Sequence, residues 1–176
     1  MPAKSTTFAY REVLTKIWIL DPIPAWATSQ APLRRLTSQV KHHLVDPAIA
    51  ATLLNVSENT LLSAQPGTGE LFGQLFESLA SLTVRFAGQS SEAGTYHLRT
   101  RGGDHEVDLL LERYDGKIIA FEVKMASAID DRDVRHLLWL KEQTGDRLVG
   151  SVVINTGSYA YRRKDGVAVV PLALLG

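Results

Sequence analysis

The chain has no cysteine, which excludes disulfides and thiolate-bound metals and suits a cytoplasmic setting. It has no charge excess either, since 19 Lys and Arg balance 19 Asp and Glu. Without a global basic field, any nucleic-acid contact has to rest on a local patch. No apolar run reaches the roughly 18 residues that a membrane helix needs, and no basic segment leads into an apolar one at the N-terminus. Neither a membrane span nor a secretory signal is expected. Internal repeats and low-complexity segments are missing as well. So is a Gly-x-x-x-x-Gly-Lys-Ser/Thr phosphate loop; Gln65-Pro66-Gly67-Thr68-Gly69 is only a glycine-bearing turn.

What is present suffices for one domain with a real core, or one domain and a small appendage: 176 residues, 45% of them apolar. Phe8 to Ile19 reads as a short helix running into a strand through Ile17 to Leu20, with Asp21-Pro22-Ile23-Pro24 breaking it. Leu33 to Leu36 and His42 to Val45 read as short strand pieces. Asp46 and Pro47 suit the N-cap and first position of a helix through Leu54. The loop Gln65–Gly69 divides an N-terminal appendage, residues 1–64, from a main domain, residues 65–176. Glu70 to about Phe86 is predicted helical, with Leu71, Phe72, Leu75, Phe76, Leu79, Leu82 and Phe86 on one broad apolar face. Strands follow at Tyr96–Thr100 and in the hairpin 106–124. A helix is expected from a cap at Asp130 or Asp131 to near Gly145, then a strand at Leu148–Ile154. Tyr159–Arg163 and Val167–Val170 suit a last hairpin around Asp165-Gly166. This order predicts a mixed α/β sheet with helices packed on it.

The hairpin carries the chemistry. It reads Glu106-Val107-Asp108-Leu109-Leu110-Leu111, a turn at Tyr114-Asp115-Gly116, then Ile118-Ile119-Ala120-Phe121-Glu122-Val123-Lys124. A two-residue turn would put Asp108 and Glu122 on opposite faces. A three-residue loop with Gly116 left-handed instead pairs Val107 with Val123, Leu109 with Phe121 and Leu111 with Ile119. That register sorts one face into continuous apolar pairs, each adding a few tenths of a kcal/mol or more. On the other face it places Asp108 opposite Glu122, with Lys124 one step along. Facing carboxylates repel unless a cation lies between them. Oxygen ligands suit Mg²⁺ (or Mn²⁺), and a neighbouring lysine suits hydrolysis of a phosphodiester. The ordinary alternative is a solvated outer strand face, with Glu122 and Lys124 paired to strand neighbours.

Gly73-Gln74-Leu75-Phe76-Glu77, Tyr96-His97-Leu98-Arg99-Thr100, Glu106-Val107-Asp108 and Phe121-Glu122-Val123-Lys124 together resemble the PD-(D/E)XK nuclease superfamily. More narrowly, the chain resembles the domain of unknown function DUF4143, which follows an AAA-type ATPase core in many proteins. Lys41-His42-His43-Leu44-Val45-Asp46-Pro47 fits its upstream segment, so the resemblance spans nearly the whole chain. It implies a restriction-endonuclease-like sheet, with Asp108 and Glu122 as metal ligands, Lys124 as catalytic lysine and Glu77 as accessory acid. It also implies a winged-helix element ahead of the sheet, of which only a last helix and a wing fit before residue 46. An ATPase domain, on a missing N-terminal segment or a separate chain, is the implied partner, and the chain is read as a fragment or a shortened relative.

Glu77 lies off the main apolar face of its predicted helix, on a side shared with Gly73, Ala80 and Val84. Those small residues let that side approach a sheet, although a plain surface glutamate fits equally well. Arg99, Arg101 and His105 lie near Asp108 in sequence, and Arg162-Arg163-Lys164 forms a basic hairpin tip. These are candidate phosphate contacts, with solvent-facing charges as the alternative. His42 and His43 would point to opposite faces of a strand, which argues against a shared metal. Trp18, Trp26 and Trp139 read as packing residues. Two functions follow: a metal-dependent nuclease-like domain acting on DNA, or a non-catalytic module that binds DNA or that regulates or oligomerises an AAA-type ATPase.

Overall fold

The computed structural model describes residues 3–27, 33, 36–63 and 65–175. The N-terminal part holds α1 (Lys4–Lys16), β1 (Leu20–Ile23), β2 (Lys41–Leu44), α2 (Pro47–Leu53) and α3 (Glu58–Leu62). Then come α4 (Thr68–Ser90), β3 (Ala93–Arg99), β4 (Glu106–Arg113), β5 (Ile118–Val123), α5 (Asp131–Thr144), β6 (Leu148–Asn155), β7 (Tyr161–Arg162) and β8 (Ala168–Pro171). The helix starts follow local chemistry. Asp46 accepts from the Ala48 amide with Pro47 in the first turn, and Asp130 with Asp133 forms a capping box on α5.

Strands β3 to β8 form one mixed sheet in the order β3-β4-β5-β6-β8-β7. The β3, β4 and β5 neighbours run antiparallel, β5, β6 and β8 run parallel, and β7 returns antiparallel on β8. One face packs on α4 through Ala80, Val84, Leu109, Leu111 and Ile154. The other packs on α5 through Leu110, Ile118, Ala120, Val134, Leu137 and Leu140. The molecule is thus a mixed α/β protein with helices flanking a six-stranded sheet. Because both faces are covered, the central strands are apolar on both sides. Among the described residues, no helix is long and apolar enough to cross a membrane.

Several details depart from the sequence reading. Helix α1 ends at Lys16, and Trp18 adopts a left-handed φ of 60°. Asp21 and Pro22 do not break the chain but lie within β1, where Pro22 pairs with His42. The Val45 amide on Ile19 O marks a hydrogen-bonded pair, so by alternation Pro22 and His42 form a non-bonded pair and the missing proline amide breaks no ladder bond. In the expected strand piece Leu33–Leu36, Arg34 and Arg35 lie outside the described residues, and Leu36 makes a single bridge to Thr100. Helix α3 was not anticipated, although Ser57 caps it by accepting from the Thr60 amide at 3.2 Å.

The packing face of α4 is the largest correction. Leu79, Leu82 and Phe86 are exposed, whereas Ala80, Ser81, Val84 and Gly88 are buried. The helix turns its small residues to the sheet because they allow close approach: a Cβ on Gly88 would sit 2.6 Å from Leu111 Cδ2. Glu77 belongs to this side, at helical spacing from Gly73, Ala80 and Val84.

The segment after β1 borders β3. The Trp26 amide donates to His97 O at 2.7 Å, and the Thr37 amide to Arg99 O at 2.8 Å. Trp26 is 1% exposed, its indole N–H donates to Glu112 Oε2 at 2.8 Å, and Arg147 holds Glu112 Oε1 at 2.7 Å. Trp26→Ala should therefore cost about 3–5 kcal/mol through the cavity and the half-released Glu112. Phe8→Ala, at an exposed position on α1, should stay within about 0.5 kcal/mol. Urea unfolding of the two variants measures both effects.

Candidate functional site

The turn between β4 and β5 closes with the Gly116 amide on Arg113 O and the Arg113 amide on Lys117 O, and Gly116 has φ 75°. This is the three-residue loop. Leu109 pairs with Phe121, Leu110 with Ala120 and Leu111 with Ile119. Val107 and Asp108 depart from the expected pairing, since neither the Val107–Val123 nor the Asp108–Glu122 pair is part of the ladder. Between the pairs Tyr96–Leu110 and Leu98–Val107 the register shifts by one residue, a bulge at Asp108 and Leu109 that sends Val107 to the α5 side of the core. The β4–β5 ladder stops at Leu109. There the Asp108 carboxylate replaces it, with Oδ2 accepting from the Val123 amide at 2.9 Å.

Glu122 follows Ala120 on the α5 side and is 2% exposed. Its Oε2 meets Lys124 Nζ at 3.1 Å, and its Oε1 is buried without a hydrogen-bond partner. Burial, and then the Asp108 charge, push the Glu122 carboxyl up to about 8. A proton shared with Asp108, or a cation, would satisfy the lone oxygen.

One further residue, Lys41, reaches Asp108 from outside the hairpin and ties Glu77 to it. Lys41, on β2, places Nζ 3.5 Å from Asp108 Oδ1 and 2.5 Å from Glu77 Oε1. Burial works against its ammonium, but Asp108 and Glu77 outweigh that and hold it above the ordinary lysine value. The β1–β2 ribbon is fixed against α4 by His43 Nδ1 and Ser78 Oγ at 3.0 Å and by the Asp21–Arg85 ion pair. Asp108, Glu122, Lys124 and Glu77 are therefore linked in one charged row through Lys41. Sequence reading did not single out Lys41. The available signal was strand parity, since residues 41 and 43 of a strand face the same way, here toward α4.

A ring cluster lies on the α5 side. His105 stacks on Trp139 with centroids 4.0 Å apart, and His136 Nδ1 approaches His105 Nδ1 at 3.4 Å. Arg135 donates to His136 Nε2 at 3.1 Å. His136 must therefore be neutral with its proton on Nδ1, directed at His105. Burial, with Arg135 and then His105, holds it below the ordinary histidine value.

The remaining candidates are dispersed. Arg99 faces Glu106 at 3.7 Å, and Arg101 donates to Leu36 O at 3.3 Å. Arg162 and Arg163 lie at the far edge of the sheet, three strands from β5, about 14 Å at the usual spacing. Arg163 is engaged by Asp131 at 2.5 Å, by Asp165 and by Ile129 O, each at 3.0 Å. Trp18 is exposed and Trp26 buried.

Asp108 and Glu122 form a pair of carboxylates with one unpartnered buried oxygen. That fits an ion such as Mg²⁺, which takes one or two protein carboxylates and completes its shell with water. Among the described residues, no group of three or more His, Cys, Asp or Glu is placed to enclose a metal. The fold and the row thus define a mixed α/β domain with an acid–lysine cluster where two central strands splay apart. Residues 72–175 match the family described as Domain of unknown function (DUF4143), and the chain belongs to it. The matched stretch runs from α4 to the end and holds Glu77, Asp108, Glu122 and Lys124, whereas Lys41 lies ahead of it. No curated protein and no solved structure matches the chain.

The raised Glu122 carboxyl has a consequence for stability. Between pH 4.5 and 8 the unfolded chain ionises this group while the fold keeps it protonated. Stability present at low pH is therefore lost as the pH rises through that window, and the loss levels off above it. Glu122→Gln lacks this penalty. Its stability should match wild type near pH 4.5 and exceed it at pH 8 by on the order of a few kcal/mol. Thermal melts without divalent ions measure this, and equal differences at both pH values would refute it.

Proposed function

We propose that this domain is a metal-dependent nuclease of the PD-(D/E)XK kind, with a restriction-endonuclease-like sheet, acting on phosphodiester bonds in DNA. The observation that carries the reading is Glu122: a buried carboxylate with one free oxygen, beside Asp108 and in contact with Lys124. Asp108 and Glu122 would hold Mg²⁺ (or Mn²⁺), with Glu77 as an accessory acid through Lys41. The ion, when bound, supplies Lewis-acid stabilisation of phosphate and a more acidic water. Burial disfavours the Lys124 ammonium, but the Glu122 and Asp108 carboxylates outweigh that and hold it above the ordinary lysine value. It orients the attacking water and offsets charge growing on the phosphate. Arg99 and Arg101, exposed near the start of β4, supply phosphate contacts.

A second reading has its own support. Phe8, Val13, Ile17 and Trp18 are exposed on and just after α1. They suit a regulatory module docked on an AAA-type ATPase domain, or on a second copy of the chain, with α1, β1, β2 and α2 as a partial winged helix. The readings part on two measurements. Calorimetric titration with Mn²⁺ should show binding that Asp108→Ala abolishes. Cleavage of plasmid, single-stranded and branched DNA should fall about 10²-fold or more in Lys124→Ala, the scale for losing a charge-stabilising group. Equal cleavage by the variant and wild type would exclude the nuclease reading.

A further inference from the structure

We infer that Lys41 is a resident cation of the site, which fills its Glu77–Asp108 side and opposes a divalent ion until displaced. This rests on the metal-site reading of Asp108 and Glu122. Three of the four oxygens of Asp108 and Glu122 already have a partner. Asp108 Oδ2 takes the Val123 amide, Asp108 Oδ1 and Glu77 Oε1 take Lys41, and Glu122 Oε2 takes Lys124. Of those four, Glu122 Oε1 is the one left, buried. A divalent ion bound by both Asp108 and Glu122 needs Asp108 Oδ1, which stands 3.5 Å from an ammonium. Like charges at that range in a partly buried setting oppose each other strongly.

Lys41 is not a surface lysine caught in passing. Its strand is held by four paired positions with β1 and tied to α4 by His43 on Ser78, while Asp21 ties β1 to α4 through Arg85. Glu77 gives the ammonium somewhere to go. Because Glu77 already contacts Nζ more closely than Asp108 does, the lysine can swing fully onto Glu77 while its backbone stays in place. Lys41 and Glu77 line a cleft of ≈ 350 Å³ between β2, α2 and α4, which Asp108 and Glu122 do not line. The withdrawn side chain therefore has open space beside it.

The test is Mn²⁺ titration of the whole chain, followed by calorimetry and by the electron paramagnetic resonance of free Mn²⁺. Lys41→Met keeps the length and removes the charge. It should bind Mn²⁺ at least about tenfold tighter than wild type, since a like charge within a few ångströms is gone. Adding Asp108→Ala to it should abolish that gain, and Lys41→Arg should bind no tighter than wild type. A second measurement needs no variant: saturating Mn²⁺ should raise the labelling of Lys41 in wild type by an amine-reactive probe, read by mass spectrometry. Equal or weaker binding by Lys41→Met, or unchanged labelling in a wild type that binds Mn²⁺, overturns the inference and leaves the metal site standing. Binding by Lys41→Met but not by wild type upholds the inference and removes the metal-dependent activity of the unaided chain. Binding by neither overturns both.

Discussion

The register of β4 against β5 is the constraint on which the rest depends. Tyr114-Asp115-Gly116 closes the turn, with Gly116 at φ 75°, and both faces of the strand pair are buried beneath helices. A slip of one residue would move each apolar side chain to the other face and carry Glu122 across the sheet. Core packing and clustering of the charged residues are thus one choice. The bulge at Asp108 adds a second step. It stops the ladder at Leu109 and turns Asp108 into the gap, where its carboxylate satisfies the Val123 amide.

The charges in that gap balance without outside help. Three carboxylates, Glu77, Asp108 and Glu122, meet two ammoniums, Lys41 and Lys124. A proton on Glu122 closes the account at neutral pH. Such a row holds together as an ion-pair network, with the unpartnered Glu122 Oε1 buried beside Asp108. Helix α4 and the β1–β2 ribbon contribute as much to it as the hairpin does. Each supplies one charge, and contacts such as His43 with Ser78 hold the two elements together.

Much of this was legible from local patterns. Asp46-Pro47 and Asp130 marked helix starts because capping is a short-range hydrogen bond. The strands around Asp115-Gly116 and Asp165-Gly166 followed from turn chemistry and alternation. The packing side of α4 was not legible. Leu79, Leu82 and Phe86 make the more hydrophobic face, yet the small residues Ala80, Val84 and Gly88 meet the sheet. A hydrophobic pattern counts apolar side chains, whereas close packing selects for room, and only the neighbouring strand reveals how much room exists. Pro22 misled for a similar reason, since its cost depends on whether its strand has a partner on the side of the missing amide.

By itself the sequence determined the mixed α/β class, the three-residue turn, and the register from Leu109–Phe121 to Leu111–Ile119 that brings Glu122 and Lys124 toward Asp108. All of these come from interactions among residues close along the chain, where periodicity and turn geometry act. The tertiary structure alone decided that Glu122 is buried with a free oxygen, that Val107 leaves its expected partner and that Glu77 faces the sheet. It alone brought Lys41 onto Asp108 across 67 positions of the chain. Those outcomes depend on how separate elements dock, and docking follows shape and desolvation at contacts that no local pattern encodes.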